Sequence, residues 1–233
     1  MRAESEALPK RPGGTAPHVL VADVAEPVLD ADDLHHVVKV RRLRDGDLVS
    51  VTDGRGTWRW CALRGVGLEP LTEPVFVPVS KPELSVGFAL VKGSKPELVV
   101  QKLTELGIDR IRPFVADRSV VRWEVEKADR SHDRWIKVAR EASLQSRRVW
   151  LPSIEPVASF ADLATMHGAV RADRDGASIT SQHTTVLIGP EGGWSPTESD
   201  AIPAVGLGDT VLRAETAAIA AGVLMMALRG APS

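Results

Sequence analysis

The residues with the clearest chemical potential lie in a glycine-rich turn near the carboxyl end of the chain. Three apolar, strand-forming residues at 186–188 end abruptly in the run Gly189–Pro190–Glu191–Gly192–Gly193. The following residues predict a helix start, because Ser195 can cap the helix and Glu198 can reach back to that cap. A buried strand that passes through glycines into a helix brings backbone amides and carbonyls within reach of a ligand. The same glycines also suit a turn that binds nothing, so both interpretations stay open on this stretch alone.

A second loop, at residues 206–217, leads into the last predicted helix. It contains Arg213 and Glu215 close to the helix start, where the helix dipole favours an anion. The two side chains are candidates for charge chemistry, and the alternative is a structural ion pair. The helix itself, at about 216–229, is rich in alanine and contains Gly222. That composition predicts close packing against another element or against a second copy of the chain.

Positive charge is concentrated between residues 110 and 148, although the formal net charge of the chain is −2. The basic residues there are Arg110, Arg112, Arg118, Arg122, Lys127, Arg130, Arg134, Lys137, Arg140, Arg147 and Arg148. The acids are Asp117, Glu124, Glu126, Asp129, Asp133 and Glu141. Such a surplus is the pattern expected for phosphate contacts. A charge run of this kind is more often a solvated helix face, which is the alternative interpretation.

The elements that would carry these residues fall into two parts. Residues 18–78 predict a small β-barrel, with short strands at 19–22, 48–52, 58–63 and 75–77 and one helix from about Asp32. Trp58 and Trp60 alternate with Arg59 and therefore share one strand face. They could form an RNA platform beside basic side chains, or they could be barrel core with a solvated arginine rim.

Strands and helices alternate after a proline-containing linker at 79–84. The predicted strands are 85–91, 111–115, 169–171 and 185–188, with a polar loop at 173–182, and the predicted helices are 94–106, 131–146 and about 216–229. Ser94 is expected to cap the first of these helices and Gly107 to stop it. The alternation predicts a mostly parallel sheet whose ligand lies beyond the carboxyl ends of the strands.

Several classes of site are excluded by the composition. Cys61 is the only cysteine, so the chain has no internal disulfide and no cysteine zinc site, which fits a cytoplasmic protein. The six histidines lack metal-ligand spacing, and we expect no metal. The chain also lacks a dinucleotide-binding glycine motif, a phosphate loop and a nucleophile elbow. No apolar run reaches membrane-spanning length, and residues 1–17 are predicted to be a disordered tail.

The two carboxyl-terminal loops together resemble the cofactor-binding signature of the SPOUT methyltransferases. The matching residues are Gly189–Pro190–Glu191–Gly192–Gly193, Leu207–Gly208 and Leu212–Arg213–Ala214–Glu215–Thr216–Ala217. Within that superfamily the chain is similar to the RsmE family of small-subunit ribosomal RNA uridine N3-methyltransferases. The likeness continues at Lys92–Gly93, Lys102, Glu105–Leu106–Gly107, Arg118–Ser119–Val120, Arg134–Trp135, Glu141–Ala142, Gln145–Ser146, Arg148 and Pro152, and in the barrel at His36, Arg42–Leu43, Gly46–Asp47 and Asp53–Gly54. Leu144 and Arg147 depart from the family pattern.

The resemblance implies an α/β fold with a mostly parallel sheet and a carboxyl-terminal trefoil knot at 79–233, preceded by a PUA-like barrel at 18–78. S-adenosylmethionine would bind in the knot, and the implied binding residues are Leu187, Ile188, Gly189, Pro190, Glu191, Gly192, Gly193, Leu207, Gly208, Val211, Leu212, Arg213, Thr216 and Ala217. A homodimer would act on a specific uridine of 16S ribosomal RNA in the small subunit. The implied RNA-binding residues are His36, Arg42, Arg118, Gln145 and Arg148.

The expected chemistry is methylation of uridine N3, with Arg213 and Glu215 as the candidate catalytic residues. Arg213 would stabilise the charge of the deprotonated base or orient it, because arginine stays cationic and offers a planar set of donors. Glu215 would orient Arg213 or accept the proton. Two other functions remain as alternatives: a non-catalytic RNA-binding or ribosome-assembly protein, and a SPOUT methyltransferase that acts on transfer RNA.

Overall fold

The computed structural model describes residues 8–90, 95–119 and 125–229, without the side chains at 36, 40 and 125. The chain divides into two compact units. The first combines the residues up to Val79 with the segment Ser143–Leu151, and the second comprises Ser80–Ala142 and the chain from Pro152 onward. Some residues of the sequence interpretation lie outside the described part, namely Lys92, Gly93, Ser94, Val120, Arg122 and Glu124.

The first unit is built on a five-stranded sheet. Its strands are β1 (His18–Leu20), β2 (Leu48–Thr52), β3 (Thr57–Arg64), β4 (Gly67–Pro70) and β5 (Val75–Phe76). They lie in the order β1-β2-β3-β4, and β5 pairs with β3; β1 runs parallel to β2, and the other pairs are antiparallel. Helix α1 (Ala31–His35) continues into a π-helical turn, His36–Val40. Buried valines fill the core because β2 and β3 alternate apolar side chains over it.

Strand β3 decides between the two interpretations of its tryptophans. Trp58 and Trp60 are only 3% and 2% exposed and meet edge to face with ring centroids 5.8 Å apart. The indole nitrogen of Trp60 donates to the Pro9 carbonyl at 2.8 Å. Arg59 is also buried, and its guanidinium donates to the backbone carbonyls of residues 24, 25 and 72. The RNA-platform interpretation of Trp58 and Trp60 is therefore wrong, and both rings belong to the core.

A buried histidine fastens the segment Ser143–Leu151 to the sheet of this unit. The His18 ring contacts the Ser50 hydroxyl at 2.9 Å through Nδ1 and the Arg148 carbonyl at 3.1 Å through Nε2. Since a carbonyl only accepts, Nε2 carries the proton. Burial lowers the pKa of His18 to about 4, so the ring is neutral near pH 7.

The second unit is built on a seven-stranded sheet in which every pairing is parallel, so the expectation of a mostly parallel sheet is confirmed. The order is β12-β10-β11-β6-β7-β8, and β9 pairs with β7. The strands are β6 (Ser85–Ala89), β7 (Arg110–Val115), β8 (Ser153–Ile154), β9 (Ala158–Ser159), β10 (Ala169–Ser178), β11 (Thr185–Ile188) and β12 (Ala204–Gly206). Strand β10 was predicted to end at residue 171, but it continues for seven more residues to Ser178, because its distal half pairs with β12 after a register shift. The predicted polar loop at 173–182 is thus mostly strand.

Five helices belong to or enter this unit. They are α2 (Pro96–Leu106), α3 (Val125–Ser146), α4 (Phe160–Ala164), α5 (Pro196–Ala201) and α6 (Ala214–Leu228). The N-cap position of helix α2 is Lys95, whose side chain makes no capping hydrogen bond, and the helix ends at Gly107 in the left-handed conformation, as expected. In α6, a Cβ added at Gly222 would lie 2.9 Å from Leu103 Cδ2 of α2. The close packing expected of the alanine-rich helix is therefore made within the chain. None of the described helices is both long and apolar enough to cross a membrane.

Candidate active site

Both carboxyl-terminal loops line one cavity of about 420 Å³ in the second unit. It lies where β11 and β12 end and α6 begins, beside the middle of β10. Its lining comprises Ala172, Asp173, Arg174, Ile188, Gly189, Pro190, Glu191, Gly193, Trp194, Leu207, Gly208, Thr210, Val211, Leu212, Arg213, Ala214 and Ala217. Cavities of a few hundred Å³ that combine apolar walls with a few polar groups are typical small-molecule sites. The position also fits the rule that ligands bind beyond the carboxyl ends of parallel strands.

Most of the candidate cofactor residues lie together in this cavity lining. The exceptions are Leu187, Gly192 and Thr216. Leu187 is fully buried in β11, where its side chain packs beside Gly87. Thr216 is exposed on the first turn of α6, and the Gly192 carbonyl accepts a hydrogen bond from Arg118 instead. Eleven of the fourteen candidates therefore line the same cavity, although they come from two separate loops.

Trp194 forms a rigid wall of the cavity directly after the glycine turn. Its indole nitrogen donates to the Ala172 carbonyl at 2.9 Å. Its ring stacks on Phe114, with centroids 6.2 Å apart and planes 3° from parallel. A Cβ added at Gly189 would lie 2.8 Å from Trp194 Cε2, which is shorter than any relaxed carbon–carbon contact. Only glycine at 189 therefore lets β11 pass so close to the indole.

A capped helix holds the glycine turn in place. The Ser195 hydroxyl accepts from the Glu198 amide at 3.2 Å and donates to Asp117 Oδ2 at 2.6 Å. Glu198 is only 2% exposed, and its carboxylate accepts from the backbone amides of Ser195 and Asp117, both at 2.9 Å. These bonds satisfy the first amides of α5, as the sequence predicted, and they also tie the turn to the end of β7.

Arg213 and Glu215 do not form the ion pair that was the structural alternative. Across the described ranges, no salt bridge joins the two side chains. Arg213 is the N-cap of α6: its carbonyl accepts from the Ala217 amide at 2.8 Å, and its side chain is exposed at the cavity. Glu215 lies in the first turn but does not line the cavity. Arg213 therefore places a cation at the cavity, and Glu215 places a carboxylate in the adjacent first turn of α6.

Sequence reasoning missed six residues of the cavity lining. They are Ala172, Asp173, Arg174, Trp194, Thr210 and Ala214. Asp173 and Arg174 were assigned to the polar loop and Ala172 lay between that loop and the predicted strand, and the extension of β10 places all three in one strand at the cavity. Asp173 forms a close ion pair with Arg171, and Arg171 also donates to the Ser199 carbonyl at 3.2 Å. The available signal for Trp194 was its position, since it directly follows the glycine turn.

The candidate RNA-binding residues are distributed over both units. Arg118 lies in the second unit, beside the glycine turn, where its Nη1 donates to the Gly192 carbonyl at 3.0 Å. In the first unit, Arg42 is exposed with a positive φ of 57°, and Gln145 is exposed near the end of α3. Arg148 is partly buried and binds His18 through its carbonyl. The side chain of His36 lies outside the described residues.

The comparisons with known proteins define the class. A family model described as an RNA methyltransferase domain matches residues 79–226, and one described as an RNA methyltransferase PUA domain matches residues 29–70. The chain thus combines the two domains of an RNA methyltransferase. In the described part of the chain, no group of three or more His, Cys, Asp or Glu residues could hold a metal ion.

Named relatives narrow this class to one family. Ribosomal RNA small subunit methyltransferase E of Mycobacterium bovis is 33% identical over 218 residues, which cover 83% of each chain. The Bacillus subtilis protein of the same name is 31% identical and covers 81% of this chain and 85% of its own. The chain belongs to the ribosomal RNA small subunit methyltransferase E family. The crystal structure of the Neisseria gonorrhoeae member, bound to S-adenosyl methionine, is 23% identical, has a TM-score of 0.76, and covers 91% of this chain and 98% of that one, which shows the shared fold.

Proposed function

We propose that this protein transfers a methyl group from S-adenosylmethionine to N3 of one uridine in 16S ribosomal RNA of the small subunit. The observation that carries the proposal is that both motif loops line the same cavity of about 420 Å³. Family membership supports the reaction class, and the RNA substrate would place the activity in the cytoplasm.

The residues of the cavity fit the cofactor in chemical type. Ile188, Leu207 and Leu212 offer apolar surface suited to the adenine ring. Backbone groups of the glycine turn and the α6 loop are available for polar recognition, because glycines leave the backbone uncovered. Asp173 and Glu191 are carboxylates at the cavity, suited to ribose hydroxyls or to an ammonium group. Bound there, the cofactor would supply an electrophilic methyl group on sulfur.

Arg213 is the residue we assign to activating the base. Uridine N3 carries a proton and becomes a good nucleophile only when that proton leaves and negative charge spreads to O2 and O4. A guanidinium at the cavity can donate to one of those oxygens, and the positive end of the α6 dipole adds to the positive potential. Glu215 would orient Arg213 or accept the N3 proton. Glu215 is in the first helical turn, two residues from Arg213, and either role requires its side chain to turn toward the cavity.

Substrate handling completes the proposal. Arg118 is anchored beside the glycine turn and would contact the RNA backbone next to the cavity. His36, Arg42, Gln145 and Arg148 would contact RNA from the first unit. The proposal includes a trefoil knot around the cavity and a homodimer in which the second copy completes each site; analytical ultracentrifugation tests the dimer.

Calorimetric titration with S-adenosylmethionine followed by methylation of purified small subunits tests the proposed activity. Wild-type protein should bind the cofactor and label the subunit RNA, but not transfer RNA. Leu212→Glu places a carboxylate in the cavity and should abolish binding. Ile136→Glu places the same charge on an exposed position of α3 and serves as the matched control. Absence of binding heat in folded wild-type protein would favour a non-catalytic RNA-binding function, and labelling of transfer RNA alone would favour the other alternative.

A further inference from the structure

The first unit carries an aromatic surface that its sequence did not suggest. Phe76 of β5 is 62% exposed, although phenylalanine normally avoids water. Its ring meets the indole of Trp150 at a centroid distance of 6.1 Å with planes 75° apart. Arg55 pairs with Trp150 in an isolated antiparallel bridge. We call these three residues, Arg55, Phe76 and Trp150, the outer platform.

Trp150 is held rigidly beneath the exposed phenylalanine. Its indole nitrogen donates to the Val77 carbonyl at 2.8 Å. The indole covers Gly56, where an added Cβ would lie 2.5 Å from Trp150 Cζ2. Gly56 also has a φ of 98°, which glycine adopts without strain. The same glycine accepts from the Val77 amide at 2.9 Å through its carbonyl, so β5, the turn and the indole form one preorganised support.

The cation of the outer platform is largely exposed to solvent. Hydrogen bonds from the Gly56 amide to the Val149 carbonyl and from the Leu151 amide to the Gly54 carbonyl flank the Arg55–Trp150 pair. Residues paired in this way present their side chains on the same face. The Arg55 side chain is 75% exposed, and its only salt bridge within the described residues is a 3.9 Å contact with Asp53. The Asp53 carboxylate is meanwhile engaged by the amides of Arg55 and Thr57, at 2.7 and 3.0 Å.

We infer that the outer platform binds single-stranded RNA, with a base stacked on Phe76 against Trp150 and a phosphate on Arg55. An exposed aromatic ring beside a cation matches the two parts of a nucleotide, and stacking on aromatic side chains is how small β-domains hold unpaired bases. A second protein chain covering the rings would have to supply its own partner charge for the Arg55 guanidinium, whereas every nucleotide of RNA brings a base and a phosphate together. The inference rests on the proposed action on RNA, and it adds a site in the first unit that the motif residues do not include.

Fluorescence anisotropy with a labelled uridine oligonucleotide of about 12 nucleotides, within the range of such sites, tests the inference on the full chain. Phe76→Ala should weaken binding by roughly 5- to 150-fold, which is the range that one stacked base contributes. Phe76→Trp should retain the affinity, because a larger ring still stacks. Val66→Ala removes an apolar side chain that is 75% exposed elsewhere in the unit and should leave binding unchanged. Arg55→Ala should reduce the slope of log affinity against log salt by about 1.

The inference is overturned if folded Phe76→Ala binds the oligonucleotide as tightly as wild type does. It is also overturned if Phe76→Ala keeps that affinity but changes the mass in light scattering, since the surface would then be a contact between copies. Calorimetry with S-adenosylmethionine and methylation of small subunits are measured in parallel. If Phe76→Ala loses RNA affinity but the wild-type protein does not methylate small subunits, only the proposed function is refuted. If the wild-type protein methylates small subunits but Phe76→Ala keeps its full RNA affinity, only the outer platform is refuted.

Discussion

Replacing Gly189 with alanine should damage the cavity through the indole that forms its wall. The new Cβ would lie 2.8, 2.9 and 3.2 Å from three atoms of the Trp194 ring. Relaxed carbon contacts are about 3.5–4.0 Å, so the indole must move by roughly 0.7–1.2 Å. It cannot tilt freely, because it stacks on Phe114, packs on Phe160 and donates to the Ala172 carbonyl. Overpacking of this kind costs about 1–3 kcal/mol of unfolding free energy.

Thermal unfolding by circular dichroism and calorimetric titration with S-adenosylmethionine check the Gly189→Ala prediction. For a chain of this size, a loss of about 1–3 kcal/mol lowers Tm by roughly 2–12 °C, and we expect cofactor affinity to fall at least tenfold. Gly67→Ala is the control, since the nearest atom to its added Cβ is 3.6 Å away. Wild-type Tm and affinity in Gly189→Ala would refute the assignment of Trp194 as a fixed wall.

Three further changes test other parts of the structure. Arg213→Ala should slow single-turnover methylation by about 10²–10³-fold with cofactor affinity nearly unchanged, as expected for loss of a transition-state donor; unchanged rates would remove Arg213 from the mechanism. Burial lowers the pKa of His18 from 6.5 to about 4, so the unfolded chain binds more protons between these values. The stability from neutral His18 is therefore present above pH 6.5 and is lost as pH falls toward 4. This stability amounts to about 3 kcal/mol. The Tm measured between pH 6.5 and pH 4 should therefore fall less steeply for His18→Gln than for wild type, and an equal fall of Tm in both proteins would contradict the assignment. Ser195→Ala removes the α5 cap and the bond to Asp117, and chemical denaturation should show a loss of about 0.5–2 kcal/mol, whereas a neutral effect would mean that Glu198 holds the turn alone.

The carboxyl-terminal part of the fold could be predicted because its signals are local. The capping box at Ser195 and Glu198 and the stop at Gly107 depend on a few consecutive residues, and the structure contains both. The run of strands and helices likewise predicted a parallel sheet. The extension of β10 could not be predicted, because the distal half of this strand pairs with β12, which lies far along the sequence.

The aromatic residues illustrate why the surface of the first unit was harder to predict. Alternation placed Trp58 and Trp60 on one face but could not say whether that face was inside or outside. Phe76 and Trp150 are 74 positions apart in sequence, and only the return of the segment Ser143–Leu151 to the first unit brings their rings together. Long-range pairing, rather than local pattern, therefore decides which rings reach solvent.

Mass spectrometry of small-subunit ribosomal RNA from cells with and without this protein tests the central claim most directly. The account predicts that one uridine loses a methyl group at N3 when the protein is absent, and that wild-type protein with S-adenosylmethionine restores it on isolated subunits. An identical methylation pattern in both cell types would contradict the proposed methyl transfer to 16S ribosomal RNA.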